Sequence, residues 1–148
     1  MKRHRDFWQV TEDSLDKSMK AYKIDSSMRN ELLDLYKILS TFKEVPEVLK
    51  LLKAKNLKLA ILSNGTPSLL SRLVKSNNLE NIFEDIFSIE EVRVYKPDSK
   101  VYDIPIKKYQ IQKNEVAFLS ANTWDVSGGG NYGYILFGLT EIIILLII

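Results

Sequence analysis

Leu57-Lys-Leu-Ala-Ile-Leu-Ser-Asn-Gly-Thr-Pro67 decides the fold. The first six residues form a short apolar run bounded by turn residues, the pattern of a buried strand. Ser63-Asn64-Gly65-Thr66-Pro67 then makes a sharp turn at the strand's carboxyl end, and Ser68 to Ser76 has helical spacing. The unit is strand, polar turn, helix. Val116 to Leu119 repeats it: an apolar run ending in Ser120-Ala-Asn122-Thr-Trp-Asp125, followed by a helix weakened by Gly128, Gly129 and Gly130. Phe83 to Ser88 is a third strand candidate, and Tyr134 onward a fourth.

Working outward, Pro46 suits the first turn of a helix over Glu47 to Lys55, and Pro97 the first turn of another after Tyr95-Lys96. Strands alternating with helices predict an α/β fold, a Rossmann-like parallel sheet with crossover helices. Two helices near the amino terminus stand outside this alternation and suggest a partial helical cap. Thr11, followed by Glu12 and Asp13, reads as the cap of the first, which runs to about Tyr22; Ser26 or Ser27 caps the second. We divide the chain into a partial cap at 1–42, a partial core at 43–134 and an apolar tail at 135–148.

Composition narrows the function classes. The chain has 148 residues, 21 Lys plus Arg against 19 Asp plus Glu, and a net charge of +2. That balance offers no nucleic-acid footprint. Without cysteine there is no disulfide framework, thiolate metal site or cysteine nucleophile. The single His4 cannot build a histidine metal cluster, and we expect it on an exposed helix face. The amino terminus lacks the apolar stretch of a secretory signal. The tail ILFGLTEIIILLII, 14 residues with one charge at Glu141, falls short of the roughly 20 apolar residues that span a bilayer. A cytoplasmic protein is expected.

In parallel α/β sheets, ligands bind at the carboxyl ends of the strands. Three pieces should converge there. Ser63-Asn64-Gly65 offers a hydroxyl, an amide and turn N–H groups to an anion. Lys96 sits at a helix start, 33 residues after Ser63. Ser120, Asn122 and Asp125 follow the strand at Val116 to Leu119, Asp125 being 29 residues after Lys96. Each piece alone has a plainer reading: turn chemistry, a solvated lysine, a helix-dipole partner. Order and spacing give them weight together.

These residues resemble the haloacid dehalogenase superfamily, and within it the L-2-haloacid dehalogenases. The matching strings are Phe7-Trp-Gln-Val-Thr-Glu-Asp-Ser-Leu15, Leu57 to Pro67, Glu91-Val-Arg-Val-Tyr-Lys-Pro-Asp98 with Val101-Tyr102, and Phe118-Leu-Ser-Ala-Asn-Thr-Trp-Asp-Val126. The resemblance implies hydrolysis of short (S)-2-haloacids to 2-hydroxy acids through an aspartyl ester, with no cofactor or metal. It implies that Ser63 binds the substrate carboxylate and that Asn64 lies by the departing halide. Lys96 keeps the nucleophilic Asp ionised, Tyr102 supports that arrangement, and Ser120, Asn122 and Asp125 position charge and the hydrolytic water. Phe7 and Trp124 would line the apolar part of the pocket. A homodimer is possible.

Phosphatases of the superfamily carry Asp four residues before the position of Asp125, where it helps hold Mg²⁺. Here that position is Ala121, which offers no oxygen ligand. The family's first strand, ending in the nucleophilic Asp with Gly-Thr close by, has no counterpart before the cap, and neither Arg3 nor Arg5 sits in the context of the cap arginine that faces the halide. We therefore expect a chain without its nucleophile, inactive on its own. The alternatives are a superfamily phosphatase acting on a small phosphate ester and a non-catalytic or tail-anchored module.

Overall fold

The computed structural model describes residues 4–138 and 144–147. Arg3 and Glu141, both weighed above, lie outside the described residues. The sheet forms because the apolar runs bury on both faces. β1 (Lys58–Ser63) places Leu59, Ala60 and Leu62 in the interior, and β3 (Val116–Ser120) buries Val116, Ala117 and Phe118. Each fully buried large side chain of this kind contributes about 1.5–3 kcal/mol. β2 (Asp85–Ser88) pairs parallel with β1, and β4 (Ile135–Gly138) parallel with β3. α4 (Pro67–Ser76) carries Leu69, Leu70 and Val74 inward, and α5 (Ser99–Tyr109) carries Val101, Tyr102 and Ile104. α3 (Val45–Ala54) adds Val45 and Leu49. α6 (Thr123–Tyr132) closes β3 to β4.

The strand order is β2-β1-β5-β3-β4. β5 (Ile144–Ile147) lies between β1 and β3 and is antiparallel to both. The sheet is therefore parallel at both flanks and mixed at its centre. Residues 135–148, divided off above as an apolar tail, contribute β4 at the sheet edge and β5 between β1 and β3. No described helix is long and apolar enough to cross a membrane.

Several local expectations need correction. α1 (Phe7–Tyr22) starts before Thr11. Asp6 is its cap, accepting from the Gln9 N–H at 2.8 Å, while the Gln9 side chain returns to the Asp6 N–H. This reciprocal capping box outcompetes the shorter Thr11 start. Thr11 is buried in the helix, its hydroxyl donating to the Phe7 carbonyl at 2.8 Å. Asp25, not Ser26 or Ser27, caps the short 3₁₀ turn Ser26–Met28 that leads into α2 (Arg29–Leu35). Pro97 precedes α5, whose cap is Asp98. His4 is off any helix and half-buried, its Nε2 lying 2.9 Å from Glu90 Oε2.

Candidate active site

The carboxyl ends of β1 and β3 carry the site. Ser63 ends β1, and its hydroxyl accepts from the Gly65 N–H at 3.0 Å, tightening the turn. The Asn64 side-chain oxygen accepts from the Lys96 backbone N–H at 3.2 Å, which ties the two segments together. Ser88, at the end of β2, supports the same turn. Its hydroxyl donates to the Gly65 carbonyl at 2.6 Å and accepts from the Glu90 N–H at 3.2 Å.

At the end of β3 the Ser120 hydroxyl accepts from the Asn122 N–H at 3.2 Å and donates to Asp125 Oδ2 at 3.1 Å. Asp125 sits in the first turn of α6, where a carboxylate suits the helix dipole. Lys96 Nζ donates to the same Oδ2 at 2.9 Å, and the Tyr102 hydroxyl donates to Oδ1 at 2.8 Å. The Lys96 and Asp125 side chains are 3% and 1% exposed. One carboxylate thus meets three donors out of water. Removing one partner from such a pair leaves an uncompensated buried charge, which is strongly destabilising.

Electrostatics follow from burial. Desolvation pulls the Lys96 ammonium below its ordinary pKa, and Asp125 pushes back by its charge and its hydrogen bond. Desolvation, and then the hydrogen bond to Asp125, drives the Tyr102 hydroxyl far above the usual tyrosine range, so it stays a neutral donor. The Tyr134 hydroxyl donates to the Tyr102 carbonyl from below. Lys96 Nζ also stands over the Phe118 ring, 5.1 Å from its centroid.

The structure brings Lys96, Tyr102, Ser120 and Asp125 into one cluster, with Asn64 bonded to its edge. Ser63 and Asn122 share the rim of an adjoining apolar groove of about 530 Å³, together with Ala121, Leu62, Leu70 and Phe42. Phe7 and Trp124 are elsewhere. Phe7 lines a shallow recess of the cap with Val10, Leu15 and Tyr36. Trp124 is 46% exposed on the outer side of α6, beside Pro97, Ser99 and Lys113. Ser88, Phe118 and Tyr134 escaped the sequence reading. A strand-terminal position could have flagged Ser88. Phe118 and Tyr134 read as ordinary core.

Residues 3–138 match the model of the haloacid dehalogenase-like hydrolases. The chain belongs to that family. It is 35% identical over 136 residues to (S)-2-haloacid dehalogenase 1 of Pseudomonas sp. strain CBS-3, covering 90% of this chain and 60% of that protein. It is 37% identical to the (S)-2-haloacid dehalogenase of Pseudomonas sp. strain YL, covering 90% of this chain and 59% of that protein. The crystal structure of L-2-haloacid dehalogenase from Xanthobacter autotrophicus superposes with a TM-score of 0.85 at 30% identity, over 95% of this chain and 57% of that one. The chain therefore spans about 60% of the length of these relatives.

Proposed function

We propose that this family member is the cap-and-core portion of a hydrolase acting on short (S)-2-haloacids. The observation that carries the reading is the buried Lys96–Asp125 pair with Tyr102 and Ser120, at the edge where Ser63 and Asn64 offer an anion site. The named relatives are (S)-2-haloacid dehalogenases, which supports the same substrate class.

The chemistry is covalent catalysis by a carboxylate. A carboxylate oxygen attacks C2 of the haloacid and forms a C–O ester bond as the carbon–halogen bond breaks and halide leaves. Water then attacks the ester carbonyl, releasing the 2-hydroxy acid and one proton and restoring the carboxylate. Ser63 holds the substrate carboxylate, Asn64 faces the halide, and Asn122 and Ser120 order the water. Lys96 keeps the attacking group ionised, as an adjacent cation does.

Asp125 is a poor candidate for the attacking group, since both of its oxygens are engaged by Lys96, Tyr102 and Ser120. We assign the attack to a carboxylate other than Asp125 and infer that the chain alone is inactive; losing the nucleophile costs on the order of 10⁶ in rate in a well-studied hydrolase. A homodimer in the cytoplasm is the setting this reading expects.

The test compares the 148-residue chain with the same chain preceded in frame by the first-strand segment of one of its dehalogenase relatives. Chloride release from (S)-2-chloropropionate only by the extended protein supports the reading. Mg²⁺-dependent phosphate release from an aryl phosphate, with no chloride release, replaces it by the phosphatase alternative.

A further inference from the structure

Among the described residues Lys96 has one carboxylate partner, and that partner is shared. Asp125 also accepts from Tyr102 and Ser120, so its charge is spread over three donors. Yet the Lys96 ammonium is almost wholly removed from water. Its Nζ also stands over the Phe118 ring, 5.1 Å from the centroid. An ammonium within about 6 Å of an aromatic face is attracted by the ring quadrupole, more strongly when desolvated.

The ring is held for this contact. Phe118 is fully buried on β3. Tyr102 meets it edge-on at 5.7 Å and 85°, and Tyr134 packs against it at 5.7 Å. On the α6 side, Gly129 gives it room: a Cβ there would lie 2.7 Å from Phe118 Cδ1. A leucine of similar bulk would fill the same space with no face to offer. Every other element around Lys96 contributes a named group: α6 gives Asp125, α5 gives Tyr102, and the turn after β1 gives Asn64.

We propose that Phe118 is a positioning residue for Lys96, its ring face holding the buried side chain as an ammonium and aiming Nζ at the strand ends. The role matters to catalysis only through the dehalogenase reading above, in which Lys96 keeps the attacking carboxylate ionised. The test needs no substrate, so the two can fail separately.

The 148-residue chain is labelled with ¹³Cε-lysine, and the Lys96 signal is assigned by its loss in K96R. Phe118 is replaced site-specifically by mono-, di- and pentafluorophenylalanine, which withdraw electron density from the ring face with little change of shape. The Lys96 titration midpoint should fall stepwise, by about one pH unit over the series. Phe118→Leu should lower it in the same direction. Urea melts identify any variant that fails to fold, and the mono- and difluoro steps then decide. A midpoint that moves by less than about 0.2 pH unit, or that rises with fluorination, overturns the assignment.

Discussion

Replacing Asp125 by Asn tests the electrostatics of the cluster at one atom. The substitution keeps the side chain's shape and removes its charge. Lys96, 3% exposed, then has no counter-ion, and the amide can no longer accept from Lys96, Tyr102 and Ser120 together. Breaking a buried pair from one side costs about 3–5 kcal/mol. An independent ceiling comes from Lys96 itself, which can escape the penalty by losing its proton. From its ordinary 10.5 to pH 7 is 3.5 pH units, about 5 kcal/mol at 1.36 kcal/mol each. Against a total stability of about 5–15 kcal/mol, Asp125→Asn should be severely destabilised but measurable by urea unfolding.

The pH dependence supplies the sign. In the variant, Lys96 in the folded state binds its proton more weakly than in the unfolded state. Between the two pKa values the unfolded chain carries more protons, so stability rises with pH. The penalty at about pH 9.5 should be smaller than at pH 7 by more than about 1 kcal/mol. Lys96→Met combined with Asp125→Asn should recover most of the loss, since no charge remains buried. A penalty below about 1 kcal/mol, or one that is flat from pH 7 to about 9.5, would refute the reasoning.

Gly128→Ala should cost about 2–3 kcal/mol, because its Cβ would lie 2.4 Å from the Tyr102 hydroxyl and 2.6 Å from Pro97 Cβ. Gly130→Ala meets only the tip of Leu136, at 2.5 Å, so the helix-propensity gain of about 1 kcal/mol should leave it neutral or stabilised; thermal melts of the two variants, moving in opposite directions or at least well apart, check the contrast. Ser120→Ala removes a donor to Asp125 and the acceptor for the Asn122 N–H and should lower urea stability by about 1–2 kcal/mol. Tyr102 and Tyr134 are pushed by burial far above the ordinary 10.0, so the stability they contribute is intact below pH 10 and lost as pH rises beyond it. Phenolate absorbance should show both hydroxyls ionising only as the fold is lost in base; ionisation in the folded protein near pH 10 would contradict their burial.

The parallel flanks of the sheet were legible because two apolar runs, Leu57 to Leu62 and Val116 to Leu119, end in polar turns that neither helix nor core can explain. They appear as β1 and β3 within a residue or so at each end. The convergence of Lys96 on Asp125 was legible from order along the chain, Lys96 standing at a helix start and Asp125 just after a strand end. What was not legible depended on partners remote in sequence. Thr11 looked like a cap because its local chemistry is good, but Asp6 and Gln9 satisfy two backbone donors at once. Trp124 sits next to Asp125, yet their side chains diverge by roughly one helical step of 100°, one into the core and one to solvent. Phe118 carries no polar atom, so its place under a lysine is invisible until the fold brings them together. The antiparallel entry of β5 is a further case: apolar composition points to a strand but not to its direction.

The most direct measurement is chloride release from (S)-2-chloropropionate by the 148 residues preceded in frame by the first-strand segment of a dehalogenase relative, as wild type and as Lys96→Met. The account predicts stoichiometric chloride and 2-hydroxypropionate from the wild type, and a rate lower by about 10²–10³ or more in the variant, because the attacking carboxylate loses its stabilising cation. Unchanged chloride release in a folded Lys96→Met protein, or no release from the extended wild type, would contradict it.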